Sequence, residues 1–321
     1  MSDAPNARSR TKQSADYGKG THEIDVNDSA LASTKELQAK LLSIFRSPNY
    51  KPPVLPNIAL ELTDLTRRSN ASYEEVIRVV EKDPLIVASV LKLAQSPMYG
   101  GRPVQSLKDA LNRVGINTLR DMVWQVVVGM RLFRVRGYTA SMERLQAHST
   151  FVAYAARIIA ARAGIAAEHA FLCGLLHDIG WSGTLVAISE SEKNPPEVGL
   201  LFAAIDKMHA EAAVAMAKLW GLSQEIITVI GAHHDLQTDK RPVSVLVPVL
   251  VVAEQLADEF GFAIEPAAPG GADKPRVDAN LDGRYQHAVS ILRLETKLDG
   301  IRELVQEAAD RLRGSDPSAA R

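Results

Sequence analysis

The sequence predicts an all-α protein. Apolar residues recur with a helical period from Pro56 onward, capping residues and glycines punctuate the periodic stretches, and no segment alternates apolar and polar like a half-buried strand. No Gly-rich phosphate loop is present, which excludes the Rossmann and P-loop classes.

Residues 1–30 are polar, offer few large apolar groups to offset the entropy of ordering, and are expected to form a disordered leader. Residues 31–50 hold a first helix, about Thr34 to Phe45, with Leu37, Leu41, Leu42 and Phe45 on one face; the Pro-rich stretch Ser47 to Pro53 breaks it. Ile58, Leu60, Leu62 and Leu65 mark the next helix, ending near Arg68. Ser72 and Glu75 make a capping box for Tyr73 to Lys82, and Pro84 suits the first turn of a helix reaching Ala94. Ser106 with Asp109 opens another, closed by Gly115. Thr118 with Asp121 opens one that carries Met122, Val123, Val126 and Val127 into the core.

The second half predicts helices at about 146–163, 167–179, 202–219, 223–234 and 244–260, with Gly164, Gly180, Gly221 and Gly261 as stops. Residues 263–283 lack a period and read as a linker. A last helix, about 284–312 within a segment 284–313, carries Val289, Leu292, Leu298 and Ile301; it either packs back on the bundle or mediates a homodimer. A polar tail, 314–321, follows, and no internal repeat is visible.

With 321 residues, 46% of them hydrophobic, the chain can bury one large core or two modest ones. A net charge of −1 gives no general attraction to nucleic acid or anionic membrane. Arg131, Arg134 and Arg136 form either a local basic patch or, the plainer reading, a solvated helix end. The single Cys173 excludes an intramolecular disulfide and a Cys-based zinc knuckle, and is expected to be a small buried residue. Residues 1–30 hold no apolar stretch of a signal peptide, and runs such as Val245 to Ala253 fall short of the roughly 20 residues that span a bilayer. A cytoplasmic location without membrane partners is expected.

Six of the eight histidines fall between positions 148 and 234. His148 is placed in the first turn of its helix, His177-Asp178 at the end of the next, His209 early in the third, and His233-His234 at the end of the fourth. Helix ends of a bundle can converge on one metal focus. Consecutive ligands such as His177 and Asp178 stand about 100° apart on a helix, so both can face one ion only near a terminus, which Gly180 would supply. Glu254 follows an apolar run, where a buried carboxylate needs a metal or a neighbouring Lys or Arg. Neutral imidazoles with carboxylates suit a divalent Fe, Mn, Zn or Ni ion. His169 is expected to be exposed, and His22 and His287 lie outside the set.

The order His148, His177-Asp178, His209, His233-His234, Glu254 resembles the HD superfamily of metal-dependent phosphohydrolases. Leu55-Pro56, Asp83-Pro84-Leu85, Val90 to Ala94, Ser96 to Tyr99, Ser106 to Leu111 and Val114-Gly115 resemble the HDOD (HD-related output domain) family. Met208 to Glu211, Leu219 to Leu222 and Ile230 to His234 continue that likeness over about residues 50–262. It implies an HD-like helical bundle behind an N-terminal helical subdomain: an HDOD domain at 51–262, divided into 51–140 and 141–262. It also implies a bacterial signalling or regulatory module that works by protein contact, with signalling proteins as partners and metal or nucleotide sensing as an added role.

HDOD proteins often lack the HD ligands, and this chain keeps them. The alternative is therefore a metal-dependent phosphohydrolase, with His177 and Asp178 as its central residues and His148, His209, His233, His234 and Glu254 as further ligands. The resemblance places Glu254 where the last ligand is usually Asp. The chain is similar in ligand order to the HD-GYP phosphodiesterases of cyclic di-GMP, but Trp181 stands where Lys commonly follows His-Asp-Ile-Gly, and Asp235 to Pro242 contains no Gly-Tyr-Pro. Lys207 and Lys218 flank His209 as cations of unassigned direction. These departures weigh toward the regulatory reading.

Overall fold

The computed structural model describes residues 26–48, 50, 52, 53, 55–68, 70–165, 169–191, 198–236, 241–264 and 279–315. Among them no strand occurs, as the periodicity predicts. The N-terminal half consists of α1 (Val26–Phe45), α2 (Asn57–Thr66), α3 (Tyr73–Val80), α4 (Pro84–Ala94), α5 (Leu107–Val114) and α6 (Ile116–Arg131). Helices α2 and α4 pack on α6, whose Met122, Val123, Trp124 and Val127 are fully buried. The Trp124 indole N–H donates to the Thr63 hydroxyl at 2.7 Å, so this large ring enters the core with its polar atom satisfied.

The second half holds α7 (Thr139–Ala163), α8 (Ala170–Leu176), α9 (Ile179–Ser191), α10 (Val198–Asp206), α11 (His209–Leu219), α12 (Gln224–Gly231) and α13 (Leu246–Glu259). Helix α7 lies against α8 and α13, and α9 against α11. Helix α14 (Ala279–Leu292) packs on α13, and α15 (Leu298–Ser315) on α7 and on the 3-10 turn Pro97–Tyr99. The C-terminal helices thus lie on the chain's own bundle, and buried side chains of both halves join in one core.

Local punctuation accounts for several boundaries. Ser72 and Glu75 form the reciprocal capping box of α3. The Asp83 side chain accepts from the amides of Leu85 and Ile86, with Pro84 in the first turn of α4. Ser106 caps α5, and Gly115 ends it at φ 78°.

Other boundaries differ from expectation, each where capping chemistry is absent or misleading. Helix α1 begins at Val26, so residues 26–30 are helical rather than part of a leader, while 1–25 lie outside the described residues. Helix α6 starts at Ile116 without a side-chain cap, so Thr118 and Asp121 lie inside it. Helix α7 starts at Thr139, also uncapped, because buried Met142 and Leu145 extend its apolar face; His148 is consequently in its third turn. The expected single helix 202–219 is two, broken at Lys207-Met208. The helix 284–312 is likewise two, parted where Arg293 adopts φ 54°. Helix α14 begins at Ala279, inside the expected linker, of which 265–278 lie outside the described residues.

His169, expected at the surface, is buried at the start of α8, 3.2 Å from the Arg67 guanidinium. The stretch 170–190 is long and apolar enough by composition to cross a membrane, contrary to the reading of the apolar runs, but most of it is buried within the bundle. Cys173 is buried as expected, with burial pushing its thiol well above the usual range. Arg131, Arg134 and Arg136 are all exposed at the end of α6.

Gly180 does not stop a helix. It lies in the first turn of α9, which continues through buried Trp181, Leu185 and Ile188. Its function is contact: a Cβ there would stand 1.9 Å from the His209 carbonyl oxygen and 2.9 Å from the Ala213 nitrogen. Gly174 serves α8 in the same way, since its Cβ would meet the Ala153 Cα at 2.7 Å. Because backbone cannot yield as a side-chain tip can, Gly180→Ala should lower stability by about 1–3 kcal/mol or more, measured by urea unfolding. An unchanged midpoint would contradict the contact between α9 and α11.

Candidate metal centre

Helix ends set the histidine rings. His177-Asp178 occupies the two-residue break between α8 and α9, His209 opens α11 just after α10, and His233-His234 follows α12. Last-turn carbonyls of a helix lack intrahelical donors, and three of them accept from an imidazole. The His177 Nδ1–H donates to Gly174 at 2.8 Å, that of His209 to Asp206 at 2.7 Å, and that of His233 to Ile230 at 2.5 Å. His148 does the same across the bundle, donating from Nδ1 to the Phe262 carbonyl at 2.8 Å. A carbonyl only accepts, so each of these Nδ1 atoms carries the proton and each neutral ring presents a bare Nε2 lone pair.

Those lone pairs meet. Nε2 of His148 is 3.2 Å from Nε2 of His177, and Nε2 of His209 is 3.2 Å from that of His233 and 2.9 Å from that of His234. Two acceptors at this separation repel unless a cation, proton or metal, lies between or beside them.

Asp178 stands between the groups. Its Oδ2 is 3.2 Å from His177 Nε2 and 3.5 Å from His148 Nε2; its Oδ1 is 3.2 Å from His209 Nε2 and 3.4 Å from His233 Nε2. One carboxylate therefore serves two sets, His148–His177–Asp178 and Asp178–His209–His233–His234, the donor atoms of each lying within 4.8 Å of one another. Glu254 of α13 flanks the first set, its Oε1 3.8 Å from His177 Nε2. Oδ1 of Asp178 and Oε1 of Glu254 are buried without a hydrogen-bond partner. Glu254 faces imidazoles, and no ion pair to Lys or Arg accompanies it among the described residues.

Electrostatics record the same conflict. Burial disfavours a charged His177, but Asp178 and Glu254 outweigh it and raise the imidazole to about 9. Burial and the adjacent His233 push His234 down to about 4. Burial would raise Asp178, yet His177 and His209 hold it well below the usual carboxylate range. Without metal, the cluster keeps protons on some imidazoles and denies them to others. Locked rings, bare nitrogens, a shared carboxylate and orphaned carboxylate oxygens fit divalent cations.

All seven expected residues are thus at one place, six in the two sets and Glu254 beside them. His287 lies apart in α14, and His22 is outside the described residues. Sequence reading missed the carbonyls that aim the rings, although three of them precede their histidine by three residues. Exposed Lys207 and Lys218 do not join the cluster.

A family model for the HDOD domain matches residues 53–236. An uncharacterized protein of Treponema pallidum (strain Nichols) is 27% identical over 196 residues, 57% of this chain and 38% of that protein. The chain spans 38% or less of the length of the first curated relatives it matches. Two solved structures share the fold. A protein of Shewanella amazonensis SB2B, provisionally named a metal-dependent phosphohydrolase, superposes with a TM-score of 0.65 at 20% identity, covering 88% of this chain and 99% of that one. A protein of Marinobacter aquaeolei VT8, provisionally named a signal transduction protein, gives 0.60 at 21% identity, covering 95% and 69%. The match over more than half its length, with the helical architecture, makes this chain a member of the HDOD domain family.

Proposed function

We propose that the chain is a metal-dependent phosphohydrolase acting on a phosphoester through a two-ion centre. Asp178 would bridge, His148, His177 and Glu254 would complete one ion's set, and His209, His233 and His234 the other's. The observation that carries this reading is the division of Asp178, each oxygen facing its own imidazole pair. Divalent Mn, Fe, Zn or Ni would supply Lewis acidity toward a phosphoryl oxygen and lower the pKa of water. The protein's own part is orientation: backbone carbonyls hold four rings with Nε2 inward, Asp178 holds the two sets in register, and Glu254 adds negative charge beside His177.

A second reading, a regulatory module acting by protein contact, is favoured by Trp181. Its ring is buried 5.8 Å from His209, where a cation would otherwise help to hold a charged substrate. The fold likeness to a protein provisionally named for signal transduction is compatible with it.

Metal analysis of the purified chain, followed by a phosphodiesterase screen with added Mn or Fe, separates the two. About two ions per chain are expected, with turnover that falls by more than the roughly 10–100-fold cost of an outer-shell partner in His177→Ala and in Asp178→Asn. A metal-free chain whose stability is indifferent to chelator would overturn the phosphohydrolase reading.

Protons and metal compete for the same nitrogens, which sets a pH dependence. His177 is raised from 6.5 to about 9 in the metal-free site, so ion binding must displace its proton. Apparent metal affinity should climb from pH 6.5 to about 9 and flatten above. The metal-free chain should do the opposite: stability contributed by the raised pKa is fully present below 6.5 and is lost as pH rises through 9. Thermal melts with and without Mn across that window check both slopes, and parallel slopes would contradict the competition.

A further inference from the structure

Two arginines of the C-terminal helix pair reach the backbone that sets the ligand rings. Arg284 of α14 donates from its guanidinium to the His233 carbonyl at 3.2 Å. That carbonyl belongs to the peptide joining His233 to His234, so one bond fixes the plane from which both rings project. His234 depends on it most. It is the most exposed of the five histidines, and among the described residues no backbone carbonyl accepts from its ring. Arg284 also keeps a buried Nε without a hydrogen-bond partner. The contact is therefore a poor source of stability and is better explained by what it holds in place.

Arg313 of α15 acts on the other set. It donates to the Phe260 carbonyl, and its guanidinium lies over the Phe262 ring, 5.1 Å from the centroid. Phe151 stacks on the same ring at 4.5 Å and 19°, and the Phe262 amide donates to the Ala257 carbonyl at 2.7 Å. The turn 260–262, with Gly261 at φ 76°, is thus held at several points. Its Phe262 carbonyl is the acceptor that aims His148. The two helices are braced to the bundle as well. Arg302 of α15 reaches Glu259 of α13 at 3.1 Å and the Tyr285 hydroxyl of α14 at 3.4 Å. Lys297, just before α15, donates to the Arg162 carbonyl of α7 at 2.9 Å.

We propose that Arg284 and Arg313 are positioning residues of the metal centre, each serving one ion: Arg284 sets His233 and His234, and Arg313 sets His148 through Phe262. The proposal rests on the two-ion phosphohydrolase reading for what the rings bind, whereas the placement of the rings belongs to the chain without metal. Charge and placement predict opposite signs. A guanidinium near a divalent cation repels it, so by charge alone removing either arginine would tighten metal binding. By placement, removal weakens binding, because a ring turned off its axis no longer offers its lone pair to the ion.

The test is calorimetric titration of the full, metal-free chain with Mn, run as double-mutant cycles. Arg284→Ala should weaken one of the two Mn equilibria by roughly tenfold, and Arg313→Ala the other. Added to His234→Ala, Arg284→Ala should cost little more; added to His148→Ala, it should cost its full effect. Arg313→Ala should show the reverse pattern. Arg284→Lys, which keeps a donor and the charge, should restore most of the binding. Proton NMR of the metal-free chain gives a second readout, since an imidazole N–H is seen only while its hydrogen bond shelters it from exchange. Arg313→Ala should lose the His148 Nδ1–H signal and keep that of His233, and Arg284→Ala the converse. Should Arg284→Ala fail to fold, Arg313, at an exposed position, carries the test. Tighter Mn binding in either alanine variant, or a loss spread alike over both ions, overturns the proposal. If the chain binds two ions and turns over a phosphoester while neither variant moves either readout, the positioning alone falls. If wild type takes up no Mn but the imidazole signals respond as stated, the positioning stands and the phosphohydrolase reading falls.

Discussion

Asp178 is buried among imidazole nitrogens that face it from opposite sides, and much of the second half of the molecule is arranged around that carboxylate. It sits in a two-residue break between α8 and α9, which lets His177 and Asp178 point to one focus although they are adjacent in the chain. An ionised carboxylate at this depth is costly unless cations or hydrogen bonds compensate it. The four imidazoles around it cannot do so as neutral donors, because their N–H groups are committed to backbone carbonyls. The arrangement therefore requires positive charge, and in the metal-free state protons held on the rings against burial supply it.

The helices come close enough for this because of two glycines. Gly174 brings α8 against α7, and with it His177 toward His148; Gly180 brings α9 onto the first turn of α11, and with it Asp178 toward His209. The string Gly174 to Gly180 is thus one device in which close backbone contact at each end fixes the ligand pair in the middle. Behind it, α14 adds a contact from the C-terminal region, where Arg284 donates to the His233 carbonyl at 3.2 Å.

Much of this was legible in sequence, and the reasons are specific. Ser72, Ser106 and Gly115 announced helix ends because their side chains, or the lack of one, carry the local energetics. The ligands announced themselves by residue type and order. Helices α6 and α7 have no side-chain cap, so nothing in the sequence marks their starts, and Gly180 reads as a terminator because close tertiary approach and helix termination select the same residue. The burial of His169 is not visible in sequence, because its partners Arg67, just past α2, and Glu225 of α12 are distant in the chain. The partners of Glu254 are distant in the chain as well, and only the folded bundle separates imidazole neighbours from the Lys or Arg that sequence left open. The geometry also shifts the weight between the two functions: a divided Asp178 favours chemistry more than ligand order alone did.

The most direct measurement of the central claim is anomalous diffraction from crystals of the chain loaded with Mn. Two peaks about 3.5–4 Å apart are predicted, one bound by Asp178 Oδ2 with His148 and His177, the other by Oδ1 with His209, His233 and His234. No peak at Asp178, or a single ion bound away from it, would contradict the account.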